Sequence, residues 1–237
     1  MSQVVAVPET DKRTGVEVVI RLREHGLPIV EEYSDGVKTG EGVYTHETIA
    51  HAVLGSLEFQ SVITPILPRG AIFYSEAGKM KRYCFLEVPP HRRRALYHKA
   101  VLEDVPFPRL VFGFELMERN KKLDITSVMV GALEDQVILN EESPVYRYPY
   151  TNVQDSFQVC WGGHKLPSIE RISQLSTIPE LFFNSPNSDC YYSSANNSKM
   201  SYRELVTKLK GKSFPDKYLK PTGYTLQQWI DHLIGRN

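Results

Sequence analysis

The sequence predicts an α+β fold, on three observations. Short runs of alternating or β-branched residues recur through the first half of the chain. A polar loop joins two of the longest runs as a hairpin, and cap-and-periodicity signals for helices gather toward the C-terminal end. Val16 to Arg23 alternates and is rich in valine, which predicts a strand. His25-Gly-Leu-Pro28 breaks it, and Ser34-Asp-Gly36 reads as a turn. Thr45 to Leu57 opens on a cap signal (Thr45, His46, Glu47, Thr48) and sets Ile49, Val53 and Leu54 on one face, which predicts a helix. Residues 1–65 are therefore expected to form a small N-terminal α+β extension, ahead of a main domain over 66–237.

In the main domain, Leu67 to Tyr74 predicts a strand, with Arg82 to Val88 as its hairpin partner across a turn at Gly78. Pro89-Pro90 then opens a predicted basic helix from His91 to about Val101, with Pro90 at the first helical position. Leu110 to Leu116 and Leu123 to Val130 predict two more strands joined by Glu118-Arg-Asn-Lys-Lys122, and Val137 to Leu139 a further short one. Later, Ser168 to Leu175 and Ile178 to Phe183 predict short helical pieces, and Ser185 to Ser201 a polar loop. Ser201-Tyr-Arg-Glu204 matches a capping box that starts a helix through Leu209, and Leu226 to Ile234 predicts a last amphipathic helix.

Composition narrows the function classes. The 28 basic and 28 acidic residues balance, which argues against a broad nucleic-acid footprint. No apolar run reaches the roughly 18 residues that suggest a membrane span, and the first residues lack a signal-peptide layout. Three cysteines (Cys84, Cys160, Cys190) without a C-x-x-C spacing suit neither a disulfide framework nor a zinc knuckle, so a reducing, cytoplasmic setting is expected. The seven histidines (His25, His46, His51, His91, His98, His164, His232) are scattered, and no metal constellation is expected. Gly36-x-x-x-Gly40-x-Gly42 lacks the Lys-Ser/Thr ending of a phosphate loop. Asn196-Asn-Ser198 is read as a chance glycosylation match.

The most informative stretch is Tyr148-Pro-Tyr-Thr-Asn-Val-Gln-Asp-Ser-Phe-Gln-Val-Cys160, followed by Trp161-Gly-Gly-His164. It comprises an extended aromatic approach, an Asn, a polar turn (Gln154, Asp155, Ser156), a brief apolar run and a thiol with a flexible exit. Its Asn-to-Cys interval resembles the catalytic segment of ubiquitin-conjugating (E2) enzymes, in which a His-Pro-Asn tripeptide precedes the thioester cysteine. It resembles more closely a bacterial branch, prokaryotic E2 family D, also described as PRTRC system protein B. The residues that carry this are Asn152-Val153, Val159-Cys160, Gly162-Gly163 and His164-Lys165-Leu166-Pro167, with Pro65-Ile-Leu-Pro-Arg69 and Ile178-Pro-Glu-Leu-Phe-Phe183. Tyr150 and Thr151 stand where the eukaryotic pattern has His and Pro, and Trp161 where many members have Leu.

The resemblance implies an E2/UBC-like core, an antiparallel strand meander flanked by helices. It implies that Cys160 accepts a ubiquitin-like protein as a thioester from a ThiF/E1-like enzyme and passes it to an acceptor amine. ATP is then consumed by that partner, and no cofactor is expected here. A JAB-type deconjugating peptidase is a further implied partner. An accessible thiol near pKa about 8.5 carries enough thiolate for exchange between thioesters. One amide donor to the oxyanion of discharge is worth about 3 kcal/mol, and Asn152 is the candidate, with loop ordering as a second role. His164 is the candidate to deprotonate the incoming amine or to favour the thiolate as a cation. Arg92, Arg93 and Arg94 on the predicted basic helix are candidates for E1 docking, or else a solvated face. Two rivals stay open: a non-catalytic E2-like scaffold, and a Cys–His hydrolase or acyltransferase pairing Cys160 with His164 and an orienting Asp155.

Overall fold

The Asp35-Gly36 pair shapes the first of two units, Met1–Ile63 and Thr64–Asn237, into which the chain divides. The computed structural model describes residues 15–23, 25–56, 64–77, 80–135, 137–192 and 195–235; the expected turn at Gly78 and helix end at Leu57 lie outside them. Asp35 and Gly36 both take positive φ (48° and 79°), as a two-residue hairpin turn requires. They join β2 (Ile29–Ser34) to β3 (Val37–Val43), and β1 (Val16–Arg21) pairs with β2 in an antiparallel order β1-β2-β3. Sequence reading found β1 and the turn but not β2 or β3, because Glu31, Glu32, Gly40 and Gly42 interrupt the apolar alternation. Glu31 is nonetheless at home in a strand. Its carboxylate accepts from Lys38 (2.9 Å), Arg21 (2.8 Å) and the Tyr33 hydroxyl (3.1 Å). The unit ends in α1 (His46–Ser56), where Thr45 Oγ1 accepts from the Thr48 amide at 3.1 Å.

The second unit is a succession of hairpins: β4 (Ala71–Ala77) with β5 (Lys81–Val88), β6 (His91–Tyr97) with β7 (Ala100–Phe107), and β8 (Arg109–Arg119) with β9 (Lys122–Leu133). β8 returns alongside β5, with Val88 opposite Leu110. The β6–β7 hairpin is therefore an excursion from the main sheet and forms a two-stranded sheet of its own. Farther along come β10 (Pro144–Arg147), the two-residue β11 (Ser168–Ile169) against the start of β9, and β12 (Pro221–Thr225). The main sheet runs β12-β10-β9-β8-β5-β4.

This hairpin corrects the helix expected over residues 91–101. His98 turns the corner at φ 51°, Ala95 and Tyr97 point inward, and Arg92, Arg94 and Leu96 point outward, a period of two rather than 3.6. The β-branched Val101 and Val105 and the strand-tolerated Pro106 complete the partner strand. The short strand expected at 137–139 is also absent. Val137 meets the Arg109 guanidinium through its carbonyl (2.5 Å), and Ile138 is 86% exposed. The segment 168–175 begins as β11 and continues as a 3-10 helix, Ile172–Thr177. Three further helices, α2 (Ile178–Phe183), α3 (Tyr202–Leu209) and α4 (Leu226–Ile234), fall where expected. Ser201 and Glu204 form the reciprocal cap of α3, the Ser201 amide donating to the Glu204 carboxylate at 2.8 Å.

Alternation along β8 sorts the two sides of the sheet. Leu110, Phe112, Phe114 and Leu116 pack with Tyr148, Tyr150, Phe182, Phe183 and Leu205 on one side. Val111, with Phe85, Met129 and Leu133, packs against Trp229 and Ile230 of α4 on the other. Gly113 lets the Phe85 ring cross β8: a β-carbon there would lie 2.6 Å from that ring. No helix among the described residues is long and apolar enough to cross a membrane.

The hydrogen bonds from Lys38 and Arg21 hold the Glu31 carboxyl down at about 2, from an ordinary 4.5. A depressed folded-state pKa gives stability that is present above the unfolded value and is lost as pH falls through the folded one. The first unit is therefore expected to loosen between about pH 4.5 and about pH 2. Backbone amide spectra of Val18 and Val30 during acid titration check this, and Glu31→Gln should remove the carboxyl's share of the transition.

Candidate functional site

The aromatic approach is core rather than surface. Tyr148, Tyr150 and Thr151 are buried, and burial pushes both phenols well above their ordinary range. The Tyr150 hydroxyl donates to the Pro106 carbonyl of β7 (2.5 Å), while its ring meets Phe107, Tyr202 and Phe214 edge-on. Pro149 carries its own tie, accepting from the Asn196 side-chain amide at 2.8 Å. The asparagine of the glycosylation match thus has a structural job.

Asn152 turns the chain, at φ 68°, into a tight hairpin. The Cys160 amide donates to the Asn152 carbonyl (2.8 Å), Val153 bridges Val159, and the Gln154 amide donates to the Gln158 carbonyl (2.9 Å). The eight-residue interval from Asn152 to Cys160 is therefore a pairing register: the two residues face each other across the hairpin. Its far arm docks on β9, with the Val159 amide donating to Val128 (2.8 Å) and the Val130 amide to Phe157 (2.9 Å). Phe157, at φ 70°, packs edge-on against Trp229 at 5.4 Å, and Arg147 forms an ion pair with Asp155 at the hairpin tip.

Cys160 is partly exposed at the end of that arm. Trp161 to His164 then form a turn closed by the His164 amide and the Trp161 carbonyl (3.0 Å). Its central residues, Gly162 and Gly163, sit at φ 58° and 88°, where a β-carbon is strained. The Trp161 ring is edge-on to Phe182, and its indole nitrogen is buried without a hydrogen-bond partner among the described residues. Cys84 lies buried in β5, its thiol pushed up to about 12 by burial, whereas Cys190 is exposed.

Asn152 is held from the other side by residues 186–190. Its side-chain amide donates to the Pro186 carbonyl (2.9 Å) and its backbone amide to the Cys190 carbonyl (3.2 Å). Thr151 donates to buried Asn187 (2.6 Å), and Asp189 accepts from the Tyr97 hydroxyl (2.5 Å) and meets His98 at 3.2 Å. These bonds hold the Asp189 carboxyl below its ordinary value, Tyr97 contributing most. Sequence reading left Asn187 and Asp189 in an undifferentiated polar loop; only its richness in Asn, Asp and Ser signalled a hydrogen-bonded structure.

The structure pairs the backbones of Asn152 and Cys160 across the hairpin. His164 is exposed and makes no hydrogen bond to Cys160 among the described residues. Asp155 answers Arg147. No cluster of His, Cys, Asp and Glu suited to a metal occurs among the described residues. The arginines lie on strand β6, not on a helix. Arg92 grips the Asp104 carboxylate at 2.5 and 2.6 Å, and Arg93 pairs with Glu180 at 2.6 Å and lies over the Phe183 ring. Of the three, Arg94 alone is exposed without an ion pair among the described residues. A partly exposed thiol, fixed at its backbone and followed by a side-chain-free turn, can accept a bulky acyl group with little rearrangement.

The family model described as Prokaryotic E2 family D matches residues 66–222, more than half of the chain, and spans the whole Asn152–His164 segment. No curated protein and no solved structure matches.

Native protein treated with iodoacetamide near pH 8 is expected to label Cys160 and Cys190, with Cys84 labelled only after unfolding; peptide mass spectrometry reads the sites. Labelling of Cys84 at a native rate would contradict its burial. The left-handed backbone at Asn152 predicts that Asn152→Ala is about 1 kcal/mol less stable than Asn152→Gly, although both lose the Pro186 contact. Equal urea midpoints for the two variants would show that the backbone there is unstrained.

Proposed function

The chain belongs to prokaryotic E2 family D, and from that membership we propose that it carries a ubiquitin-like protein as a thioester on Cys160. The observation that carries the reading is the facing pair: the Cys160 amide bonded to the Asn152 carbonyl at 2.8 Å, with the thiol partly exposed beside a glycine turn. In the first step the Cys160 thiolate attacks the thioester carbonyl of a modifier held on an E1/ThiF-like enzyme. The new carbon–sulfur bond forms as the donor thiolate leaves, and the exchange is nearly neutral in energy because one thioester replaces another. In the second step an acceptor amine attacks, an amide forms, Cys160 leaves as thiolate, and the amine proton passes to solvent or to a base.

Asn152 orders the loop before reaction, and its amide is the candidate donor to the oxyanion of discharge. His164, on the exposed rim of the turn, is the nearest base in sequence for the amine. Docking of the activating enzyme to the β6–β7 hairpin rests on Arg94, since Arg92 and Arg93 are engaged within the fold. A JAB-type peptidase would remove the modifier, and a reducing compartment such as the cytoplasm suits a free thiol. The hydrolase alternative needs a Cys160–His164 hydrogen bond, and none occurs among the described residues; single-turnover hydrolysis without an E1-like partner would favour it. A scaffold reading suits a buried cysteine better than this partly exposed one.

The purified chain mixed with an E1-like and a ubiquitin-like partner plus ATP should give an adduct on a non-reducing gel. That adduct should disappear with thiol and be absent from Cys160→Ala. No adduct from partners shown to be active together would overturn the proposal.

A further inference from the structure

The arc 186–190 does more than fill a surface loop. Asn187 is 9% exposed, and its polar groups are matched on two sides. Toward the hairpin excursion, its backbone amide and side-chain amide both donate to the Leu96 carbonyl (2.7 and 3.2 Å), and its own carbonyl accepts from the His98 amide (2.8 Å). Toward the thiol, its side-chain oxygen accepts from the Thr151 hydroxyl (2.6 Å), and Thr151 is fully buried. Its neighbours clasp the next residue. Pro186 accepts from the Asn152 side chain and Cys190 from the Asn152 backbone, while Asp189 anchors the far end of the arc on Tyr97 and His98. The side chain of Asn187 therefore connects to the reacting residue through Thr151 and then Asn152, beside the direct clasp of Pro186 and Cys190 on Asn152, and the path ends in the Cys160 amide bond.

We propose that Asn187 is a positioning residue for Cys160, fixing the thiol-bearing hairpin through Thr151 and the clasp on Asn152. The inference deepens the reading of Cys160 as the acceptor thiol and rests on it for its catalytic consequence. The physical ground is the asymmetry of buried polar groups: a satisfied network specifies one arrangement, and removing one member leaves the others without partners in a dry site. Asn187→Ala orphans the Thr151 hydroxyl, while Thr151→Val orphans the Asn187 oxygen. The hairpin can then leave its seat on Asn152 while β8 and α3 stay folded.

Amide hydrogen exchange reads this in the full chain. In Asn187→Ala and in Thr151→Val, the Cys160 amide is expected to exchange at least tenfold faster relative to the Leu205 amide, which donates to the Ser201 carbonyl in the first turn of α3. Thr151→Ser, which keeps the hydroxyl, should restore protection. The double variant Asn187→Ala/Thr151→Val should be no worse at Cys160 than either single one, because both remove the same connection. With an E1-like partner and a ubiquitin-like protein, the same variants should lower kcat for thioester formation and leave KM for the charged partner unchanged. Unchanged relative exchange at Cys160 would overturn the proposal. So would a uniform rise at Cys160 and Leu205 together, since that marks general destabilisation. A wild-type chain that forms no thioester would sink the carrier reading instead, and the exchange comparison would still decide whether Asn187 positions the hairpin.

Discussion

Two backbone hydrogen bonds, from Val159 to Val128 and from Val130 to Phe157, fix the hairpin that ends in Cys160 on strand β9. The site depends on that docking because a strand-like segment has a side-chain period of two. In the observed register Val153 and Val159 enter the core beside Tyr148 and Tyr150, and Cys160, next in alternation, emerges. A slip of one residue would bury the thiol and expose Val159. The positive φ of Phe157 then sends its ring to the other side of the sheet, against Trp229 of α4. The hairpin is thus gripped from both cores at once, which leaves the register little freedom.

The approach to the hairpin is fixed by aromatic packing and one well-placed hydroxyl. Burying Tyr150 costs least with a partner for its oxygen, and the Pro106 carbonyl supplies it. That bond also ties the β6–β7 excursion to the thiol-bearing segment, and the Asn187–Leu96 contacts tie it a second time. An excursion that looks like an appendage in the strand order is therefore a support of the segment that leads to Cys160. The arginines on it serve the same end: Arg92 locks the two strands through Asp104, and Arg93 joins β6 to α2 through Glu180.

Much of this was legible in the sequence, wherever information is local. The long strands β8 and β9, the capping box of α3, the amphipathic pattern of α4 and the Asn152–Cys160 interval all show in residues a few positions apart. The β6–β7 hairpin was not legible, because Pro90 followed by a basic run satisfies a helix start equally well. What decides for strand is the inward pull on Ala95 and Tyr97, and that belongs to the tertiary fold. Nor were β10 and β12 legible: they are short, and Pro144 and Pro221 disguise them. Asn187 and Asp189 were invisible for a different reason. Their partners Thr151 and Tyr97 lie far away along the chain, and a polar loop residue carries no mark of what it will meet.

Asn152 shows how one residue type meets several demands. Its φ lies where glycine is easiest and Asn is tolerated. Glycine would relax the backbone but could not reach the Pro186 carbonyl. That contact occupies the amide that an oxyanion would need, and magnitudes settle whether the two uses conflict. A neutral hydrogen bond at the edge of a site contributes about 0.5–1.5 kcal/mol, whereas a donor to a developing oxyanion contributes about 3 kcal/mol. On the proposal that Cys160 carries an acyl group, the amide would gain by leaving Pro186 only when charge appears on the acyl oxygen. In the observed structure the same group holds the loop in place, so on that proposal ordering and transition-state stabilisation would follow one another instead of competing. The backbone bond from Cys160 to Asn152 is independent of that side chain, so the thiol would keep its place if the amide moved as proposed.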